Sequence, residues 1–253
     1  MHLVAFRGFV ATTAAGRKLG VLMRVAIVEN TRVTHHGQVG VALHEQAALV
    51  DLYRPWLDGA LPKRGSFDAL VVFGGEQSAL DDGLHPYLPE LAALMAETAA
   101  ADVAVLGICL GSQLFARGLG AENRLGSAAE FGWSQVRKQG DARDAVMDAL
   151  PPSFHSFQWH SDTFTLPLGA VHLAGSDVAP VQAFRYGRAG YGMQFHFEAS
   201  RAVARDWCAT FRPIIDRVAP GWADEFDTHA GQHGVRADAL GLQIAREWVG
   251  LIA

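Results

Sequence analysis

The sequence predicts an α/β protein with a doubly wound, mostly parallel sheet flanked by helices and a small antiparallel β portion. Three observations carry this. Short apolar runs at 25–28, 69–73, 103–106 and 192–195 are hydrophobic without alternation, as strands covered on both faces must be. Segments of helical period separate the first three runs, which fits strand–helix–strand units. From 130 to 184 the runs become shorter, more polar and separated by Pro or Gly, the grammar of antiparallel strands.

In chain order, Val25-Ala-Ile-Val28 forms the first strand. Helical spacing then places Val39, Leu43, Ala47 and Val50 on one face of a helix over 36–50. Ala69-Leu-Val-Val-Phe73 is the second strand and runs into Gly74-Gly75. Residues 86–100 form the next helix, with Pro86 suited to its first turn and Leu88, Leu91, Leu94 and Met95 on its buried stripe. Val103-Ala-Val-Leu106 is the third strand. Trp133-Ser-Gln-Val136, Phe157-Gln-Trp159, 170–173 and 181–184 make the antiparallel portion, packed onto the parallel core. The fourth core strand is 192–195. The tail is helical over 199–211 and again over 236–252, where Leu240, Ile244, Trp248 and Leu251 share a stripe. Ligands of such folds bind outside the carboxyl ends of the strands.

The 253 residues suit one α/β domain, and no repeat, low-complexity tract or linker marks a second. The domain is placed at 23–253. Residues 1–22 contain Arg7, Arg17 and Lys18 but no acidic residue. Their apolar stretch, Leu3-Val-Ala-Phe6, is too brief for a secretory signal, and their periodicity is poor for a transit peptide. They read as a disordered or adventitious extension. Half the residues are hydrophobic and 19% are charged, so the chain is globular. A net charge of −5 and a pI near 6.1 leave no basic footprint for nucleic acid or an anionic membrane. No apolar run approaches the roughly 20 residues of a membrane span. Two cysteines, Cys109 and Cys208, are too few for a disulfide framework, so a reducing cytoplasm is expected.

An isolated free cysteine reads as a buried small hydrophobe, and Cys208, within a helical pattern, keeps that reading. Cys109 does not. Gly107 and Gly111 flank it at minus two and plus two after an apolar strand, the pattern of a nucleophile elbow between a strand and a helix. There the sulfur sits at a helix N-terminus, where the dipole and free N–H groups favour thiolate. His196 follows a strand, and Glu198 lies two residues on. A histidine base needs a carboxylate to fix its tautomer and orientation. A tetrahedral intermediate needs two N–H donors: one from Leu110, the other from the Gly74-Gly75 loop. Asp81-Asp82, His35-His36, His229 and His233 read as structural, and no metal is expected.

These motifs together resemble the class I (triad) glutamine amidotransferases. Gly107-Ile-Cys-Leu-Gly-Ser-Gln113 matches their Gly-x-Cys-x-Gly-x-Gln elbow, and His196-Phe-Glu198 their His-Pro-Glu pair. Glu130-Phe-Gly-Trp-Ser-Gln-Val136, Gln158-Trp-His-Ser-Asp-Thr163 and the Ala174-Gly-Ser-Asp to Gln182-Ala-Phe184 stretch extend the likeness over 23–211. Their order looks like the amidotransferase domain of GMP synthase and its free-standing relatives. The resemblance implies a flavodoxin-like fold. It also implies a catalytic triad of Cys109, His196 and Glu198, an oxyanion hole from Gly75 and Leu110, and contacts to glutamine from Gln113, His160 and Ser161. No cofactor is implied. Two departures stand out: Gly74-Gly-Glu-Gln-Ser78 replaces the usual Gly-Gly-Pro-x-Ser, and Phe197 replaces the proline of the pair.

The implied reaction is attack of Cys109 on the amide of glutamine, giving a γ-glutamyl thioester and ammonia. Nothing after Phe211 resembles an ATP-pyrophosphatase module, so the acceptor would be a separate synthetase subunit. A stand-alone γ-glutamyl peptide or amide hydrolase would use the same chemistry with a different leaving-group pocket. A non-catalytic binding subunit is a third reading, opposed by the intact triad.

Overall fold

The computed structural model describes residues 22–139 and 143–252. The expected extension at 1–22 lies outside them except for Leu22. Parallel strands β1 (Arg24–Val28), β2 (Leu49–Tyr53), β3 (Ala69–Val72), β4 (Ala104–Ile108) and β11 (Gly190–Met193) form one half of a nine-stranded sheet. The antiparallel strands are β6 (Glu130–Lys138), β7 (Ser153–His160), β9 (Val171–Gly175) and β10 (Ala183–Tyr186). The sheet order is β2-β1-β3-β4-β11-β10-β9-β6-β7. The small β5 (Asn123–Arg124) and β8 (Thr163–Phe164) pair separately. The antiparallel portion is therefore a continuation of the same sheet, joined at β10–β11, and not a layer packed upon it.

Both faces of β1, β3, β4 and β11 are buried, which is why these strands do not alternate. Val25, Ile27, Val71 and Leu106 point to one face, with Ile244 and Trp248. The helices packed together on that face are α1 (Gly37–Glu45) and α8 (Val235–Val249). Ala26, Val28, Leu70, Val72 and Val105 point to the other, with Leu91, Met95 and Phe115. There α3 (Leu88–Ala100) packs on α4 (Leu110–Gly118). Short helices α2 (Pro55–Asp58), α6 (Arg212–Val218) and α7 (Phe226–His229) complete the set with α5 (Arg201–Thr210). A third, aromatic cluster joins Trp133, Phe157 and Trp207 over the antiparallel strands.

One predicted element is wrong. The helix over 36–50 stops at Glu45, because Ala47 adopts φ +51° and turns the chain. Leu49 and Val50 belong instead to the half-exposed edge strand β2. A helical period thus bridged a helix and a strand by coincidence. The strand expected at 192–195 lies two residues earlier, so His196 and Glu198 sit in a turn beyond it.

Candidate active site

Cys109 stands between β4 and α4 with φ +51° and ψ −111°. Such a conformation costs about 1–3 kcal/mol for a residue with a Cβ and persists only where its surroundings impose it. Here its N–H donates to Met193 O of β11 at 2.9 Å, and its carbonyl accepts from Ser112 N and Gln113 N. The flanking glycines are fixed by crowding. A Cβ on Gly107 would lie 2.4 Å from Gly111 O, and one on Gly111 only 2.0 Å from Val72 O. Cys109 thus sits at a sharp turn from β4 into α4, as the N-cap of α4.

His196 and Glu198 occupy the turn after β11. His196 Nδ1 and Glu198 Oε1 are 2.7 Å apart, and both residues are buried. The His196 N–H donates to Phe157 O at 2.8 Å, while the Cys109 thiol faces Trp159 O at 3.7 Å. The β6–β7 ribbon, last in the sheet order, therefore folds back over the strand ends and braces both groups. Phe197, in the place of a proline, is buried in the core, and Glu198 O accepts from Gln38 N at the start of α1. The turn is held by packing and a hydrogen bond.

Burial alone would lower the pKa of His196. The Glu198 carboxylate and the Cys109 sulfur outweigh it, by charge and by hydrogen bonding, and raise the pKa to about 10. The electrostatics favour an imidazolium at His196. Cys208 differs: burial pushes its thiol up to about 11, which keeps it protonated and inert.

The loop after β3 lies against both groups. A Cβ on Gly74 would sit 3.2 Å from His196 Cε1 and 3.3 Å from Cys109 Cβ. Gly75 abuts the Leu110 side chain, whose Cδ2 would be 3.2 Å from its added Cβ. Without a proline, side chains tie this loop. Asn30 Nδ2 donates to Phe73 O (2.8 Å), Gln77 Nε2 to Asn30 O (2.6 Å), and Tyr87 Oη to Asn30 Oδ1 (3.2 Å).

Cys109, His196, Gly75, Leu110, Gln113, His160, Ser161 and Glu198 all line one cavity of about 540 Å³. Gln113 Nε2 donates to Gln194 Oε1 at 3.1 Å. The His160 ring is turned inward, with Nδ1 3.0 Å from Asp162 O and Nε2 3.3 Å from Glu130 Oε2. Ser161 is exposed at the rim. Sequence reasoning missed three contributors. Gly74, rather than its neighbour, lies against Cys109 and His196. Trp159 supplies the carbonyl facing the thiol. Glu130 places a buried carboxylate in the cavity wall, its Oε2 accepting from Ser176 Oγ (2.8 Å) and Gln182 Nε2 (2.5 Å). The glycine pair was a visible signal; the other two needed the ribbon to fold back.

The residues set aside as structural have ordinary partners. Asp82 makes a two-pronged pair with Arg117 (2.6 and 2.7 Å), His35 meets Asp206 and His36 meets Glu29. His229 stacks on Trp222, and His233 on His155. Among the described residues, no group of three or more His, Cys, Asp or Glu is arranged to hold a metal. None of the described helices is long and apolar enough to cross a membrane.

A sequence model of the family described as glutamine amidotransferase class-I matches residues 15–207. The chain is 26% identical over 192 residues to a glutamine-hydrolyzing GMP synthase subunit of Methanosarcina acetivorans, covering 73% of this chain and 95% of that one. The corresponding subunit of Sulfolobus acidocaldarius is 32% identical over 148 residues, covering 56% and 72%. The crystal structure of a glutamine amidotransferase from Thermotoga maritima superposes with a TM-score of 0.78 at 26% identity, over 90% of this chain and 98% of that one.

Proposed function

The chain belongs to the glutamine amidotransferase class-I family, and on that premise we propose that it hydrolyses the side-chain amide of glutamine through a γ-glutamyl thioester on Cys109. The observation that carries this reading is the convergence of Cys109 with the His196–Glu198 pair at one cavity wall.

In this reading the Cys109 thiolate attacks the amide carbon, and the oxyanion forms against the N–H groups of Gly75 and Leu110. His196 passes its proton to the leaving nitrogen, then takes one from the water that cleaves the thioester. Glu198 holds the ring so that Nε2 serves the sulfur and the substrate. Gln113 and the His160–Ser161 turn, together with Glu130, border the amino-acid end of glutamine, and a buried carboxylate suits its ammonium group. The likeness to proteins named as subunits of GMP synthase supports delivery of the ammonia to a separate synthetase protein. Free thiols in a catalytic role fit the cytoplasm.

Ammonia release from glutamine tests the proposal. The wild type should release ammonia and Cys109→Ala should fall to background. Turnover that persists undiminished in Cys109→Ala would remove the thioester from the mechanism.

A further inference from the structure

The cavity is lined by polar and by apolar side chains. Gln77, Ser78, Gln113, Glu130 and the 160–162 turn surround the end assigned to the glutamyl group. An aromatic run, Trp207, Trp159 and Phe211, leads away from His196, and Val33, Ile214 and Val218 line the same cavity with Thr31, Thr34 and His35. Trp207 meets His196 edge-on, with ring centroids 5.0 Å apart and planes at 74°. Trp159 stands 5.9 Å from Trp207 and 5.4 Å from Phe211, both edge-to-face. Ile214 and Val218 are 39% and 58% exposed, so the apolar wall continues outward to solvent.

Proton transfer decides which side the leaving group takes. His196 delivers its proton to the departing nitrogen, so that nitrogen, and whatever it carries, lies against His196 and beside Trp207. Ammonia carries nothing and needs no such wall. Space points the same way. At the ~30 Å³ that a water molecule occupies per heavy atom, glutamine fills on the order of 300 Å³, leaving much of the 540 Å³ cavity free.

We propose that this wall is a leaving-group subsite, and that the protein cleaves γ-glutamyl amides of apolar amines, aromatic ones above all. The proposal rests on the thioester reading. Cys109 Sγ bonds to the γ-carbonyl carbon, the C–N bond breaks, and the proton of His196 passes to nitrogen, releasing a neutral amine. Water then adds to the thioester, His196 takes one of its protons, and the S–C bond breaks. Glutamate leaves and the thiolate–imidazolium pair is restored. An aromatic substituent would meet the edges and faces of Trp159 and Trp207 in arrangements that aromatic pairs favour.

The test compares amine release from γ-glutamyl-methylamide and γ-glutamyl-benzylamide by the whole protein. A diazo-ketone analogue of glutamine, titrated in parallel, reports whether Cys109 is competent. The benzylamide should have a kcat/KM more than about tenfold higher, since a single missing methylene in an apolar pocket already costs about 10–200-fold. Ile214→Glu and Phe211→Ala should each lower that ratio. Equal or poorer use of the benzylamide by protein whose Cys109 is labelled would overturn the subsite and leave the thioester reading standing. A preference undiminished in both variants would overturn the assignment to this wall. Failure of labelling and of every amide would remove the thioester reading, and this proposal with it.

Discussion

His196 Nδ1 lies 2.7 Å from Glu198 Oε1, and the two meet across a turn, not along a strand. The contact leaves Nε2 as the ring nitrogen available to the sulfur, and it keeps a buried imidazole charged.

The pH dependence follows from that charge. His196 has its folded-state pKa raised from 6.5 to about 10, so the imidazolium persists through neutral pH and is lost as pH rises through about 10. The alkaline limb of kcat/KM should fall there. Glu198→Gln removes the largest raising influence and should move that limb to lower pH, visible in a pH–rate profile. The same shift stabilises the fold fully below pH 6.5 and progressively less up to pH 10. Urea midpoints should decline across this window more steeply in the wild type than in Glu198→Gln.

Thiol reactivity should separate the two cysteines. Cys109 faces a charged imidazole, whereas the Cys208 thiol is pushed up to about 11 by burial. A glutamine-like diazo-ketone at neutral pH should modify Cys109 and spare Cys208, as read by peptide mass spectrometry. Equal labelling of both would show that no electrostatic activation operates at Cys109.

Gln77 ties the loop after β3, proposed to hold the oxyanion, in the absence of a proline. Gln77→Ala should lower kcat by about 10- to 100-fold while KM changes little, since small misplacements of reacting groups carry penalties of that order. A variant with wild-type kcat would mean that the loop is held by its other contacts. Steady-state kinetics on glutamine decide this.

Crowding at the elbow should appear in stability. Gly111→Ala drives a Cβ to within 2.0 Å of Val72 O, whereas Gly83→Ala meets open space. Overpacking of this kind costs about 1–3 kcal/mol or more, and each kcal/mol lowers Tm by about 2–4 °C at this size. Calorimetry should show the first variant melting several degrees lower and the second unchanged.

The parallel core was readable because both its faces are buried, so Val25, Ile27, Val71 and Leu106 sit in unbroken apolar runs. The edge strand β2 was not, because half-exposed Leu49 and Val50 carry no such signature, and no Gly or Pro marks the turn at Ala47. At the candidate site, Cys109, His196 and Glu198, which meet at one cavity, stood out through local patterns: paired glycines and a His-x-Glu spacing. Trp159 and Glu130 were assigned no role there because they join the cavity only when a distant ribbon folds across it.

The backbone twist at Cys109 has one more consequence. The local chain holds its carbonyl through Ser112 and Gln113, but the bond from its N–H to Met193 arrives from a strand more than eighty residues downstream. A nascent polypeptide that has not yet laid that strand in place lacks this bond. The geometry at Cys109 is thus assembled only when a strand from the far side of the antiparallel portion has joined β4.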